Sequence, residues 1–355
     1  MKLIAKRILK IFFILLISIL YLIGIYLLFL TITDYKPQKI ENIAVIGSIE
    51  NNQLLYDDLT FISWDIGFAG SGKENNFFQE VSKKHKPGID IFQKKFNGIL
   101  NTLSTYSYID FILLQEVDVF SNRSFYTNQK KFVSDFLPDY NYTFAINYDI
   151  KYSAFPIYAP LGRVKSGIQI LGKFKPVIVQ KHTYTPNFTW PDRILKPDPC
   201  YLTNHYSLMN GKQLVLVNIQ NTYSENSVQN RNELKEIRAF VCNEFEKGNY
   251  VIVGGNWNIN PPAYKKQIAL KRNKNLFAEN EIPFNFMPID WKWMFDSEIP
   301  TQGNLKMINH KAINYSTVMD FFLISPNIED LSIRNIDLNF EFSNHNPVLM
   351  NVKLK

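Results

Sequence analysis

Tyr250 to Asn258 reads YVIVGGNWN. Its first half is a short apolar run rich in β-branched residues, the pattern of a buried strand. Two glycines follow, then Asn256 and Asn258. Just upstream, Leu234, Ile237, Val241 and Phe245 recur at three- and four-residue spacing within Gln229–Lys247, and Gly248 can close that segment. This is the period of an amphipathic helix with a C-terminal glycine stop. A helix that runs into a buried strand is the repeating unit of an α/β domain.

Working outward, the same signature recurs. Leu59–Trp64, Ile109–Leu114, Ile168–Leu171, Gln213–Asn218, Val318–Ile324 and Pro347–Leu354 are short apolar runs and predict strands, and Ile91–Leu103 predicts a second helix. Polar residues stand at the ends of these runs. Asp65 follows LTFISW, Gln115-Glu116 follows IDFILL, and Ser343-Asn344-His345 precedes the last strand. Asp320 lies inside VMDFFLI, where an unpaired charge is costly. Strand ends are where α/β folds place chemistry, because loops converge there over a rigid sheet.

The chain has 355 residues, 46% hydrophobic and 20% charged, which describes a globular protein and excludes a disordered one. Ile11–Ile32 (IFFILLISILYLIGIYLLFLTI) carries no charge over 22 residues. A bilayer core needs about 20 apolar residues in a helix, and a cleaved signal has a shorter apolar core, ~7–15 residues, with a small-x-small site that is not visible here. The run reads as an uncleaved transmembrane anchor. It divides the chain into a basic tail (1–10), the anchor (11–32), a tether (33–56) and one domain (57–355). Lys2, Lys6, Arg7 and Lys10 precede the span, against Lys36 and Lys39 after it, which predicts a cytoplasmic N-terminus and an extracytoplasmic domain at the cell membrane. Those four residues also account for much of the net charge of +7; without them 35 basic residues face 32 acidic ones. The remainder gives no strong electrostatic case for a nucleic-acid partner. Cys200 and Cys242 form no C-x-x-C pair, so zinc and redox motifs are absent; one disulfide or two buried thiols are both compatible with the pattern.

Five segments in order, FISWDIGFAG, DFILLQEVD, YVIVGGNWN, MDFFLIS and FSNHNPVLMNVKL, resemble the endonuclease/exonuclease/phosphatase superfamily over roughly residues 58–355, and in particular its membrane-anchored bacterial members. Each motif alone is weak; the ordered set is specific. The resemblance implies an α/β fold of two packed mixed β-sheets flanked by helices, a four-layer sandwich. It also implies a Mg²⁺- or Mn²⁺-dependent phosphoester hydrolase. Such chemistry needs a hard cation at the phosphoryl oxygens, a group that orients or deprotonates water, and stabilisation of the leaving oxygen.

Carried over by position, Glu116 matches the main metal ligand. Asn258 matches a phosphate- and water-handling residue, and His345 matches the terminal histidine held by the late-strand Asp320. Four positions depart from the pattern. Asp65 stands for an Asn, Asn256 for the central Asp, Asn344 for the terminal Asp, and Gln220 for a frequent His. The set expected at the site is therefore His345, Asp320, Asn258 and Asn256 for chemistry, with Glu116, Asp65 and Asn344 for metal. Asn256 cannot act as a general base, because an amide does not accept a proton near neutral pH. Asp65 restores a carboxylate beside Glu116. Two readings follow: a hydrolase with weakened or altered catalysis, and a pseudoenzyme that keeps the fold as a binding module. The substrate class stays open among nucleic acid, phospholipid headgroup and sugar or inositol phosphate.

Taken singly, these residues have plainer readings. Glu116 reads as a surface carboxylate, His345 as a strand cap, and Asn256 and Asn258 as turn residues. His182, His205 and His310 have no partner pattern. Trp190, Trp257, Trp291 and Trp293 read as core. Arg163–Gly167 reads equally as phosphate site or solvated loop, and Lys265–Lys274 as a solvated helix face.

Overall fold

The structure is a computed structural model that describes residues 2–51, 53–54, 56–72, 86–185, 189–222, 228–264, 281–308 and 311–355. Four helices are described: α1 (Lys2–Thr33), α2 (Ile89–Thr105), α3 (Gln129–Phe136) and α4 (Val228–Glu246). The strands are β1 (Ile40–Asn42), β2 (Gln53–Leu54), β3 (Asp58–Asp65), β4 (Phe111–Asp118), β5 (Asn141–Ser153), β6 (Gly162–Gly172), β7 (Ile178–Thr183) and β8 (Cys200–Leu208). They continue with β9 (Gln213–Gln220), β10 (Tyr250–Asn256), β11 (Lys292–Met294), β12 (Gln302–Ile308), β13 (Lys311–Thr317), β14 (Asp320–Ile324), β15 (Ile328–Asn335) and β16 (Val348–Leu354).

Two mixed sheets carry the domain. One runs β15-β16-β3-β4-β6-β5; the other runs β1-β7-β8-β9-β10-β14-β11, with β2 paired to β8. β12 and β13 form a separate hairpin. Between the sheets lies a core that includes Phe61, Phe111 and Leu113 of one and Leu202, Leu216, Ile252 and Phe322 of the other. The opposite face of β3 and β4 is covered by Phe92, Phe96, Ile99 and Leu103 of α2 and Val133 of α3. The outer face of β9 and β10 is covered by Leu234, Ile237 and Val241 of α4. The layers are thus helix, sheet, sheet, helix, and both central strands are buried on two faces, which is why they read as continuous apolar runs.

Residues 40–46, within the stretch expected as a tether, are woven into the domain. β1 extends the second sheet by pairing with β7, Ile43 and Val45 pack against the inter-sheet core, and Ile46 bridges to Tyr142. α1 is long and apolar enough to cross a membrane. Its last turns also touch the domain: Leu30 is buried with Ile150, Val164 and Ile194. Both cysteines are free thiols. His182 stacks on Tyr201 with centroids 4.6 Å apart, and His205 Nδ1 lies 3.0 Å from Gln213 Oε1, so both are partnered residues of the second sheet. Trp257 and Trp291 are buried, whereas Trp190 is exposed, contrary to its reading as core. His310 and Lys265–Lys274 lie outside the described residues.

Candidate active site

Strand register sets the frame. β3 and β4 are parallel, and their pairing ends with Asp65 beside Gln115. β9 and β10 are parallel and also end together, Gln220 beside Asn256, which in turn faces Asp320 at the start of antiparallel β14. The polar ends of the central strands therefore meet at one edge of the sandwich.

Glu116 reaches that edge through a bulge. The β4–β6 register shifts between Leu114 and Val117, and Glu116 has φ +54. A side chain with a Cβ rarely adopts this left-handed conformation, and an extra residue in a strand re-aims the side chains around it. Gln115 points between the sheets, where its amide donates to Asn218 Oδ1 at 2.7 Å. Glu116, next in sequence, crosses to the other sheet and accepts from Gln220 Nε2 at 3.2 Å. Gln220 Oε1 in turn accepts from Asn147 Nδ2 of β5 at 2.8 Å.

Two of the four positions that depart from the expected pattern, Asp65 and Asn256, are partners. Asn256 Nδ2 donates to Asp65 Oδ2 at 2.9 Å, and both residues are buried. Asp65 Oδ1 accepts from Gly67 N–H at 3.0 Å. Asn256 Oδ1 accepts from Asn258 N–H at 3.0 Å, and Asn258 Nδ2 donates to the Asn221 carbonyl at 2.6 Å. The pair thus joins the ends of the two sheets with every contact satisfied.

On the far side, His345 Nδ1 lies 2.7 Å from Asp320 Oδ2. Asp320 Oδ1 has no hydrogen-bond partner among the described residues. Ser343 holds the segment by donating its hydroxyl to the Asp65 carbonyl at 2.7 Å, and Trp64 Nε1 donates to the His345 carbonyl at 2.9 Å. Asn344 is anchored by its backbone, whose carbonyl accepts from Gly303 N–H at 2.9 Å; its side chain makes no hydrogen bond among the described residues. The structure therefore brings Asp65, Glu116, Asn256, Asn258, Asp320 and His345 to one edge and leaves the Asn344 side chain unengaged.

The charges there interact. Burial pushes the Glu116 carboxyl up to about 7, and Asp65 adds to the rise while Arg123 and His345 oppose it. Burial works against protonation of His345, but Asp320, Asp65 and Glu116 outweigh it and lift the imidazole to about 9. Burial also raises Asp320, against the pull of His345. The His345 imidazole is therefore protonated at neutral pH and faces the Asp320 carboxyl.

Sequence reasoning passed over Arg123. It sits in the loop after β4, grips Asp118 at 2.9 and 3.1 Å, and lies over the Phe68 ring with its carbon 3.8 Å from the centroid. Desolvation opposes its charge, but Asp118 more than offsets this and the guanidinium stays protonated. Its field reaches Glu116. The only signal in sequence was Asp118 five positions before Arg123, which carries no weight without the loop. Arg163, by contrast, is committed to Asp149 within the β5–β6 pair, so that stretch is strand and not loop.

No group of three or more His, Cys, Asp or Glu among the described residues is arranged to hold a metal ion. Mg²⁺ asks for less: one or two carboxylates, the rest water. Glu116 Oε2 has no hydrogen-bond partner among the described residues, and its carboxyl is held above the usual range beside Asp65. A cation would relieve that repulsion, so the residues fit an ion held by Glu116 and Asp65 with water and do not fit a closed protein cage.

No family model and no curated protein sequence matches this chain. Solved structures share its fold. An endonuclease/exonuclease/phosphatase from Beutenbergia cavernae DSM 12333 superposes with a TM-score of 0.52 at 14% identity, covering 84% of this chain and 72% of that one. ANGEL2, a 2′,3′-cyclic phosphatase solved with adenosine-2′,3′-vanadate, gives 0.55 at 13% identity over 88% of this chain and 99% of its own. An endonuclease/exonuclease/phosphatase from Bacteroides vulgatus gives 0.51 at 13% identity over 84% and 99%. At these identities the likeness is one of fold: the chain has the endonuclease/exonuclease/phosphatase fold.

Proposed function

We propose that this chain is a membrane-anchored, Mg²⁺-dependent phosphoester hydrolase with altered catalysis, held by α1 with its N-terminus in the cytoplasm and its domain outside. The observation that supports it most is the His345–Asp320 pair at the same edge as Glu116 and the Asp65–Asn256 pair. Asp320 holds the imidazolium, which stabilises negative charge on a phosphoryl oxygen. Asn258 adds an amide for phosphate or water. Glu116 and Asp65 would hold the cation, with Asn344 contributing at most a neutral oxygen. Bound there, a divalent ion supplies charge neutralisation at the phosphate. Asn256 donates where a proton acceptor is expected, so turnover is low by the factor of ~10²–10⁴ that general base catalysis contributes.

A second reading has its own support. Gln220 and Asn256 donate amide hydrogens to one oxygen each of Glu116 and Asp65, as in a binding module that no longer turns over. A hydrolysis screen separates the two. Full-length protein is offered cyclic and linear phosphodiesters and phosphomonoesters with Mg²⁺ or Mn²⁺. Metal-dependent hydrolysis that Glu116→Ala removes supports the hydrolase; activity unchanged in Glu116→Ala, or none on any class, rejects it.

A further inference from the structure

The C-terminal part of α1 is tied to the β5–β6 connection. Tyr26 Oη accepts from Ala154 N–H at 2.9 Å and donates to the Tyr152 carbonyl at 3.2 Å. Trp190 Nε1 donates to Thr31 Oγ1 at 3.1 Å. Leu30 is buried against Ile150, Val164 and Ile194, with Tyr26 and Leu27 packed alongside. Tyr26 lies within the uncharged run that ends at Ile32. At about 1.5 Å of rise per residue, it is on the order of 9 Å inside the end of that run. The backbone bonded to Tyr26 therefore shares its depth.

The connection itself suits that depth. Residues 152–162 (YSAFPIYAPLG) carry no charge. Phe155, Ile157 and Tyr158 are 52%, 79% and 64% exposed. Next to it stands a second apolar pair, Phe120 and Tyr126, both exposed with ring centroids 4.9 Å apart. That loop touches the base of the connection, where Asn122 Nδ2 donates to the Leu161 carbonyl at 3.4 Å. Large apolar side chains grouped in this way mark an interaction surface, and aromatic residues concentrate at the headgroup level of bilayers.

We infer that the β5–β6 tip is a wedge that enters the outer leaflet of the same bilayer that α1 spans, an inference that rests on the anchor reading. The occupant of the patch is lipid, because the tip is bonded to a residue within the membrane-spanning run. β5 projects past the edge at which β4 ends: Tyr148 and Asp118 both register with Ser166 of β6, and β5 runs on to Ser153. The wedge therefore turns the candidate site edge toward the membrane and fixes the domain's orientation, where a single helix alone would leave it free to swivel.

The test uses full-length protein in phosphatidylcholine vesicles, with Cys242 replaced by Ser and an environment-sensitive dye on a single new cysteine. Three positions are compared: Leu20→Cys in the span, Ile157→Cys at the tip, and Met209→Cys, 77% exposed in the β8–β9 turn at the opposite end. Chain-brominated lipid should quench the dye at positions 20 and 157 at least twofold and leave position 209 unchanged. Quenching at 20 with iodide-accessible, unquenched dye at 157 overturns the wedge and leaves the anchor standing. No lipid quenching at 20 overturns the anchor reading and the wedge together. Equal quenching at 157 and 209 overturns the specific placement.

Discussion

Nδ1 of His345 stands 2.7 Å from Oδ2 of Asp320, both side chains buried, at the junction of β14 and the loop before β16. Removing one member of such a pair leaves a buried charge uncompensated, at a cost of ~3–5 kcal/mol. Asp320→Ala should therefore destabilise strongly. The pH dependence has a defined sign. His345 is lifted from 6.5 to about 9, so its stabilising contribution is complete below 6.5 and fades as pH rises toward 9. Denaturant midpoints at pH 6.5 and 9 should show this loss in the wild type and a smaller one in His345→Gln. Equal slopes would contradict the pairing.

Glu116 titrates in the same direction for a different reason. Its carboxyl rises from 4.5 to about 7 through burial and Asp65, so the metal-free fold is most stable with Glu116 protonated, and that contribution is lost as pH climbs through 7. Glu116→Gln should gain ~1–2 kcal/mol over the wild type at pH 8 in a chelator, a figure reduced from the full shift because the side chain is partly exposed. Millimolar Mg²⁺ should then raise the wild-type melting temperature and leave Glu116→Gln where it was. A variant that responds to Mg²⁺ as the wild type does would remove Glu116 from the metal site.

The strands that hold the candidate site were legible because each is buried on two faces and ends in a polar residue. β1, β2, β5, β7, β8, β11, β12, β13 and β15 were passed over. β8 (CYLTNHYSL) is almost wholly buried yet polar, since Asn204 Oδ1 accepts from Thr143 Oγ1 of β5 at 3.1 Å and Thr203 Oγ1 donates to the Gln180 carbonyl of β7 at 3.2 Å. Buried polar residues with partners carry no apolar signature. β5 alternates buried and half-buried residues, many of them aromatic or polar, and gives no continuous run. The Glu116 bulge, the reach of Arg123 across its loop and the docking of Tyr26 depend on contacts far apart in sequence, which no local pattern encodes.

The anchor makes a topological prediction. Four basic residues precede the span and two follow it closely, so the N-terminus should remain in the cytoplasm. Protease added to intact cells or spheroplasts should reach the domain. Protection in intact cells with digestion only after lysis would reverse the orientation.

The Asp65–Asn256 pair gives the sharpest test of catalysis. Both residues depart from the pattern that the resemblance implies, and they are in contact: Asn256 Nδ2 donates to Asp65 Oδ2 at 2.9 Å. The two departures exchange the ends of one bond. Asn256→Asp alone would set two buried carboxylates against each other and remove the donor, which should cost ~2–4 kcal/mol without a cation. Asp65→Asn combined with Asn256→Asp restores one amide and one carboxylate with the bond reversed. Asn at 65 still accepts from Gly67 N–H, and Asp at 256 still accepts from Asn258 N–H, through the same Oδ1 positions used now. The double variant should therefore fold within ~1 kcal/mol of the wild type, a coupling far from additive. It also places a proton acceptor at position 256, so hydrolysis of a generic phosphodiester should rise by ~10²–10⁴-fold, further with Asn344→Asp. If the wild type is already efficient and the exchange lowers its rate, Asp65 itself is the acceptor and the catalysis is relocated, not lost. If the exchange leaves a stable protein with no activity on any phosphoester, the binding-module reading stands and Glu116 serves only to hold a ligand or ion.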